Sequence, residues 1–263
     1  MVLNLIAIWK QEKVRPMSDA ERAAPMPKFR DALVDLRQVP DAMRLMVVAA
    51  LGTLAFNMQD VLLEPYGGEV LGLSVSATTL LTATWSLGAL IGFGLAARWL
   101  NRGMDPFRMA ARGPLVGIVA FSAVIFSDPT GSPLLFYIGA AGIGLGGGLL
   151  AVATLTAAMN LPERGLAGRG LVLGAWGAAQ ATAAGLAVAL GGLVRDGVGH
   201  LAMSGTLGPA MSTQSTGYIV VYHIEIGLLF ATLIALGPLV RTRIFDHNQE
   251  QGSARIGLAE FPT

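Results

Sequence analysis

Residues 134–159 read LLFYIGAAGIGLGGGLLAVATLTAAM, a stretch without a charged side chain. A helix needs about 20 consecutive apolar residues to cross a membrane, and this stretch exceeds that length. Comparable apolar runs occupy residues 45–66, 75–97, 113–127, 171–194 and 217–240. The sequence therefore predicts an all-α integral membrane protein with six transmembrane helices. Run 113–127 is short, and it must borrow residues towards Met109 or Asp128 to cross.

The composition supports a membrane protein and excludes several other classes. Hydrophobic residues make up 53% of the chain and charged residues 13%, against about a quarter charged in soluble domains. Mean hydropathy is +0.60. The chain has no cysteine, which excludes disulfides and thiolate metal sites. A net charge of +1 gives no reason to expect nucleic acid as a partner.

The basic residues predict the orientation of the helices. All Lys and Arg residues except Arg195 lie before the first run, in the second and fourth gaps between runs, or in the tail. Because basic residues near helix ends are retained in the cytoplasm, both termini are predicted to be cytoplasmic.

Three regions follow from this pattern. Residues 1–44 form a cytoplasmic or interfacial segment, 45–243 the six-helix transmembrane domain, and 244–263 a cytoplasmic tail. Within the first region, apolar residues at helical spacing predict a short amphipathic helix: Phe29, Leu33, Leu36 and Val39.

Glycine is the next signal, with 34 residues concentrated in the predicted second, fourth and fifth helices. Small residues three or four positions apart let helix backbones approach closely in a membrane. We therefore expect these helices to pack through glycine-rich faces.

Polar residues inside membrane helices are costly and often functional. In the first helix, Asn57, Asp60 and Glu64 share one face. They are candidates for contact with a ligand. The alternative is that Asp60 and Glu64 lie at the outer boundary, hydrated or paired with Arg195.

In the sixth helix, Tyr218, Tyr222 and Glu225 share a face, and Glu225 is the deepest carboxyl predicted in the membrane. It is a candidate binding residue, unless the two tyrosines simply satisfy it. His223 points elsewhere. Its imidazole could ligate the magnesium of a (bacterio)chlorophyll, or it could be an interfacial residue bonded to a loop.

The fifth helix offers one further pair of candidates. Trp176 and Gln180 are four residues apart and share a face. A planar ring beside an amide could pack a pigment macrocycle, but ordinary helix packing explains Trp176 equally well.

Three stretches resemble the PucC family of bacteriochlorophyll-delivery proteins, a branch of the major facilitator superfamily. They are Phe56–Gly68 (FNMQDVLLEPYGG), Gly92–Gly103 (GFGLAARWLNRG) and Gly174–Thr182 (GAWGAAQAT). Stretch Gly92–Gly103 is similar to the superfamily's loop motif, with the usual acid of that motif replaced by Ala97. This replacement departs from the pattern of conventional transporters.

The resemblance implies the C-terminal six-helix half of a twelve-helix bundle, whose substrate would lie between two such halves. It implies assembly of light-harvesting complexes in the bacterial inner (intracytoplasmic photosynthetic) membrane. The implied cofactors are bacteriochlorophyll or carotenoid. The implied partners are light-harvesting α/β polypeptides or a reaction-centre antenna complex, lipids, and a complementary half or second copy.

A different function class is a small-molecule or proton-coupled transporter, suggested by Asp60 and Glu225. An enzyme is not expected, because the sequence contains no convergent set of catalytic or metal-ligating residues.

Overall fold

The structure is a computed structural model that describes residues 29–39, 41–161 and 169–256. Among these residues, six helical segments are long and apolar enough to cross a membrane: Ala42–Glu69, Val75–Leu100, Pro106–Thr130, Pro133–Met159, Gly170–Met203 and Thr216–Arg241. The predicted all-α fold with six transmembrane helices is confirmed. The cytoplasmic location of the termini stays a prediction, and residues 1–28, 40 and 257–263 of the two predicted flanking regions lie outside the described residues.

The first span is interrupted, whereas each later span is one helix. Helix α2 (Ala42–Asn57) ends in a 3-10 turn at Met58–Val61, and helix α3 (Leu63–Glu69) completes the crossing. The other helices are α1 (Phe29–Gln38), α4 (Val75–Leu100), α5 (Pro106–Thr130), α6 (Pro133–Met159), α7 (Arg169–Met203) and α8 (Thr216–Ile256). Helix α8 therefore continues into the predicted tail.

Polar residues in the connections decide where three helices begin. The Ser74 hydroxyl accepts a hydrogen bond from the Ala77 amide at the start of α4, and Ser132 accepts one from the Leu135 amide at the start of α6. Asp105 caps α5 by accepting from the Arg108 amide at 2.9 Å. Such caps satisfy amides that have no partner within the helix. Helix α5 thus extends well beyond the apolar run 113–127, as its length required.

Helix α6 packs against α4 and α5, and glycines permit the close approach. A Cβ atom added at Gly144 would overlap the carbonyl oxygen of Trp85, and one added at Gly88 would overlap that of Ala141. The predicted glycine-mediated packing is confirmed for α4 and α6. In α7, Gly191 packs closely against the Met58 carbonyl, whereas a Cβ added at Gly174, Gly177 or Gly185 would meet no described atom within 4 Å, so these three do not contribute to packing among the described helices.

Large apolar side chains cover the outside of the bundle. Exposed examples are Val75, Leu80, Leu87 and Leu90 of α4, Val119 and Phe126 of α5, Leu193 of α7, and Phe230 and Ile234 of α8. A soluble protein rarely exposes so much contiguous apolar surface, whereas lipid accommodates it. The protein is a multi-pass membrane protein.

The amphipathic helix predicted before the first span is confirmed as α1. Leu36 and Val39 are buried against the bundle. The side chains of Phe29 and Leu33 lie outside the described residues, and contact with a membrane surface stays a prediction.

Candidate functional site

A cavity of about 500 Å³ lies between α2, α4, α6 and α7. Its aromatic walls are Phe56, Trp85 and Phe93. Its remaining lining is mostly small: Gly52, Ala89, Gly144, Gly147, Gly148, Ala151, Gly177, Ala181 and Ala184. The glycines of α6 lie directly against these residues: a Cβ added at Gly148 would be 3.2 Å from the Phe93 ring, and one added at Gly147 would be 3.7 Å from the Phe56 ring. Rings and glycines therefore form one continuous wall. The cavity therefore suits a largely apolar ligand with at least one flat face.

Two amides predicted as site residues meet at this cavity. Asn57 and Gln180 both line it, although they come from the first and fifth spans. The Asn57 amide nitrogen donates to the Thr53 carbonyl at 2.6 Å, which fixes its orientation. This bond uses one N–H group, so the other N–H and the side-chain oxygen stay available to a ligand.

Trp176 is not part of the cavity lining that the structure describes. Its indole nitrogen donates to the Thr154 hydroxyl on α6 at 3.3 Å, and the ring packs against the core. Trp176 and Gln180 therefore do not line this cavity together, and the contact of Trp176 with α6 agrees with ordinary helix packing. Trp85 of α4 supplies an aromatic wall instead. Sequence reasoning missed it, although Trp85, Ala89 and Phe93 recur every four residues on one face.

Asp60 and Glu64 are both exposed at the protein surface. Asp60 accepts a hydrogen bond from the Gln59 side chain at 2.6 Å, and Glu64 accepts one from the Thr82 hydroxyl. In the described structure neither is paired with Arg195, so that alternative is wrong. That the two carboxyls are hydrated at the outer boundary stays a prediction.

Arg195 pairs with a carboxylate that the sequence reasoning missed. It contacts Glu69 at 2.6 Å and Asp196 at 2.8 Å. The Tyr218 hydroxyl lies 2.7 Å from both the Arg195 guanidinium and the Glu69 carboxylate. The cluster joins the first, fifth and sixth spans near one membrane face. No local signal marked Glu69, because its partners are more than a hundred residues away.

Glu225 is fully buried, and neither side-chain oxygen has a hydrogen-bond partner among the described residues. The expectation that Tyr218 and Tyr222 satisfy it is wrong. Tyr218 is occupied by Glu69 and Arg195, and the Tyr222 hydroxyl is itself without a partner in the described part of the chain. A buried polar group without a hydrogen-bond partner lowers the stability of the folded state.

His223 lies on the exposed side of α8, away from the cavity lining. Its Nδ1 atom is 2.7 Å from the Ile219 carbonyl oxygen of the same helix, not a loop as one alternative expected. A carbonyl only accepts, so this contact places a proton on Nδ1, and in the neutral tautomer that does so the lone pair is on Nε2. That is the arrangement a metal-ligating histidine requires.

The candidate residues therefore divide among separate places: the cavity, the surface around the 3-10 turn, the buried environment of Glu225, and the outside of α8. Within the described ranges, no group of three or more His, Cys, Asp or Glu side chains is placed to hold a metal ion.

This arrangement is that of a helical, multi-pass membrane protein with a cavity between its membrane-crossing helices. A family model described as "PUCC protein" matches residues 1–244, and the chain belongs to this family.

Three similar proteins place the chain among relatives from photosynthetic bacteria. An "Uncharacterized protein in puhA-bchM intergenic region" of Rhodobacter capsulatus is 58% identical over 100% of this chain and 55% of its own length. "Protein PucC" of Cereibacter sphaeroides is 42% identical over 92% of this chain and 51% of its own. "Protein PucC" of Rhodovulum sulfidophilum is 48% identical over 75% of this chain and 44% of its own. The chain spans about half the length of these relatives.

Proposed function

We propose that this protein is a non-enzymatic assembly factor or accessory subunit of bacterial light-harvesting and reaction-centre complexes, acting in the inner (intracytoplasmic photosynthetic) membrane. It holds a pigment, bacteriochlorophyll or carotenoid, while antenna polypeptides assemble. Membership of the PUCC family supports the setting. The observation that carries the proposal is the apolar cavity with its two amides, Asn57 and Gln180.

The chemistry of the cavity fits a pigment better than a hydrophilic solute. Its described lining contains aromatic, aliphatic and glycine residues, the two amides and Thr53, with no charged side chain. A tetrapyrrole or polyene would lie against the continuous wall that Trp85, Phe93 and the glycines of α6 form. Amide N–H groups at Asn57 and Gln180 would donate to keto or ester oxygens of the pigment.

Antenna polypeptides would dock beside the same cavity. Helix α7 is largely uncovered, because only 17% of its apolar membrane-crossing stretch is buried inside the bundle. A Cβ atom added at Gly174, Gly177 or Gly185 of this helix would meet no described atom within 4 Å. Small residues on an uncovered helix face let another transmembrane helix approach closely. We therefore assign α7 to contact with the single helices of α and β antenna polypeptides.

His223 supplies a separate place for pigment. Its free Nε2 atom on the exposed side of α8 is suited to the magnesium of a bacteriochlorophyll lying against the outside of the bundle. Cavity and histidine are distinct sites, so their pigments would be separable by mutation. No catalytic step forms part of the proposal.

The first test fills the cavity without disturbing the fold. A Cβ added at Gly177 would meet no described atom within 4 Å, and Gly177 lines the cavity, so we expect Gly177→Leu to fold with its side chain in the cavity. Gly185→Leu is the matched control, since it adds the same side chain on α7 outside the cavity lining. Pigment absorbance per protein is measured after purification in mild detergent. We expect about a tenfold loss for Gly177→Leu, equivalent to ~1.4 kcal/mol, and wild-type pigment content for Gly185→Leu.

Absence of pigment from the wild-type protein when it is purified from its native membrane would contradict the pigment proposal. Equal loss in both variants would instead assign the pigment to the α7 surface. The transporter alternative is tested separately by solute uptake into reconstituted vesicles, where the proposal expects none.

A further inference from the structure

The environment of Glu225 points to a ligand that the proposed function does not include. Glu225 is 0% exposed and sits on α8 facing the interrupted first span. The backbone N–H of Gln59 lies close to the carboxyl without meeting the geometry of a hydrogen bond. Among the described residues, the carboxyl therefore has a dry environment and no bonded donor.

Other buried oxygens in this part of the bundle are also without partners. They are Oε1 of Gln59 and the hydroxyls of Tyr66 and Tyr222, whose rings lie 5.4 Å apart. The Gln59 amide nitrogen is already used, since it donates to Asp60 and to the Phe56 carbonyl. The free atoms are thus acceptors, or hydroxyls that can accept. Oxygen-rich surroundings of this kind suit a hard cation.

The break in the first span adds to the negative character of this region. Helix α2 ends at Asn57, and the 3-10 turn Met58–Val61 follows directly, carrying Gln59. The carboxyl end of a helix carries partial negative charge on its unpaired carbonyls. In transporters, interrupted membrane helices of this kind coordinate Na⁺ or H⁺.

No described basic side chain neutralises Glu225. The charged group that acts on it is Asp60 in the 3-10 turn, which is also acidic. Titratable groups around it on the packed elements include Tyr222 and Tyr218 of α8, Tyr66 of α3, Asp128 of α5, which acts on Tyr66, and Arg195 of α7. Arg195 is bonded to Glu69, Asp196 and Tyr218. Helix α5 contributes the apolar ring of Phe121 beside Tyr222.

We propose that Glu225, together with Gln59 and Tyr222, binds a compact monovalent cation, either H⁺ or Na⁺, between α8 and the break in the first span. An uncompensated carboxylate at this position would be expensive, and a small cation removes that cost. Neither a larger organic cation nor a pigment fits this requirement, because the site is closed by packed side chains. The inference is independent of pigment binding in the cavity.

The experiment measures the thermal unfolding temperature of the full chain purified in mild detergent. In one arm, NaCl replaces choline chloride at constant ionic strength and constant pH. In the other arm, the pH falls from about 8 to about 5 without Na⁺. A ligand that binds only the folded state stabilises it, so saturation should raise the unfolding temperature by about 5 °C. A rise with Na⁺ identifies Na⁺, and a rise on acidification identifies H⁺.

Glu225→Gln should abolish the dependence of the unfolding temperature on Na⁺ and on pH, because an amide has no negative charge for a cation to neutralise. Glu64→Gln, at an exposed carboxyl of the same bundle, should keep it. Tyr222→Phe retains the ring and should move the midpoint to a higher concentration of the cation. If the wild-type protein shows neither dependence, or if Glu225→Gln responds like the wild type, the proposal is overturned. A loss shared by Glu64→Gln would overturn it as well.

Discussion

At the scale of single residues, charged side chains lie in two kinds of environment. Arg195, Glu69 and Tyr218 form a connected cluster at one end of the bundle, where each group has a partner of suitable chemistry. Glu225, deeper in the same helix as Tyr218, has none among the described residues. The first arrangement connects three spans, whereas the second leaves a buried carboxyl for the cation that we propose.

The Arg195 cluster yields a prediction about stability. Glu69→Gln removes the charge that bridges Arg195 and Tyr218 while preserving side-chain size. Because the Arg195 and Glu69 side chains are 30% and 38% exposed, the interaction is partly screened, and we expect a loss of about 1 kcal/mol. Asp196→Asn is the control, because Asp196 is 71% exposed and should change stability little. Thermal unfolding in detergent measures both variants, and equal effects would contradict the assigned role of Glu69.

At the scale of elements, the helices use glycine in opposite ways. In α4 and α6, Gly88 and Gly144 bring two backbones together inside the bundle. In α7, glycines with the same sequence spacing face open space in the described structure. The same small residues thus serve internal packing in α4 and α6, and also at Gly191 of α7 beside the Met58 carbonyl, whereas Gly174, Gly177 and Gly185 leave their part of α7 without a close neighbour among the described residues.

This difference is testable with a single methyl group. Gly144→Ala places a Cβ atom against the Trp85 carbonyl, which neither backbone can move away from cheaply, and we expect destabilisation of about 2 kcal/mol. Gly94→Ala on the facing helix meets no described atom within 4 Å. It should be neutral, or stabilising by up to about 1 kcal/mol through helix propensity. Unfolding temperatures would contradict this account if the two variants behaved alike.

At the scale of the whole molecule, the alternation of helices and the distribution of Arg and Lys predict the orientation. Because the chain has no cysteine, single cysteines can report sidedness directly. Asn101, Asn160 and Ser204 follow the second, fourth and fifth spans and are exposed. We expect Asn101→Cys and Asn160→Cys to react with an impermeant maleimide from the cytoplasmic side, and Ser204→Cys from the opposite side. Labelling of the first two from opposite sides would refute the topology.

The sequence alone determined the number of membrane crossings, the approximate helix bounds and the presence of the amphipathic α1. These properties depend on local hydropathy, chain length and nearby capping residues, so a single stretch of chain contains the necessary information. The family resemblance was likewise carried by short motifs, and the match over residues 1–244 confirms it.

Only the tertiary structure decided which side chains meet. Asn57 and Gln180 line one cavity, and Trp85 rather than Trp176 forms part of its wall. Arg195 forms an ion pair with Glu69, and Glu225 has no hydrogen-bond partner among the described residues. Each of these outcomes depends on the rotation and separation of helices that are distant in sequence. Hydropathy constrains neither quantity, because any apolar face of a helix is equally acceptable to lipid.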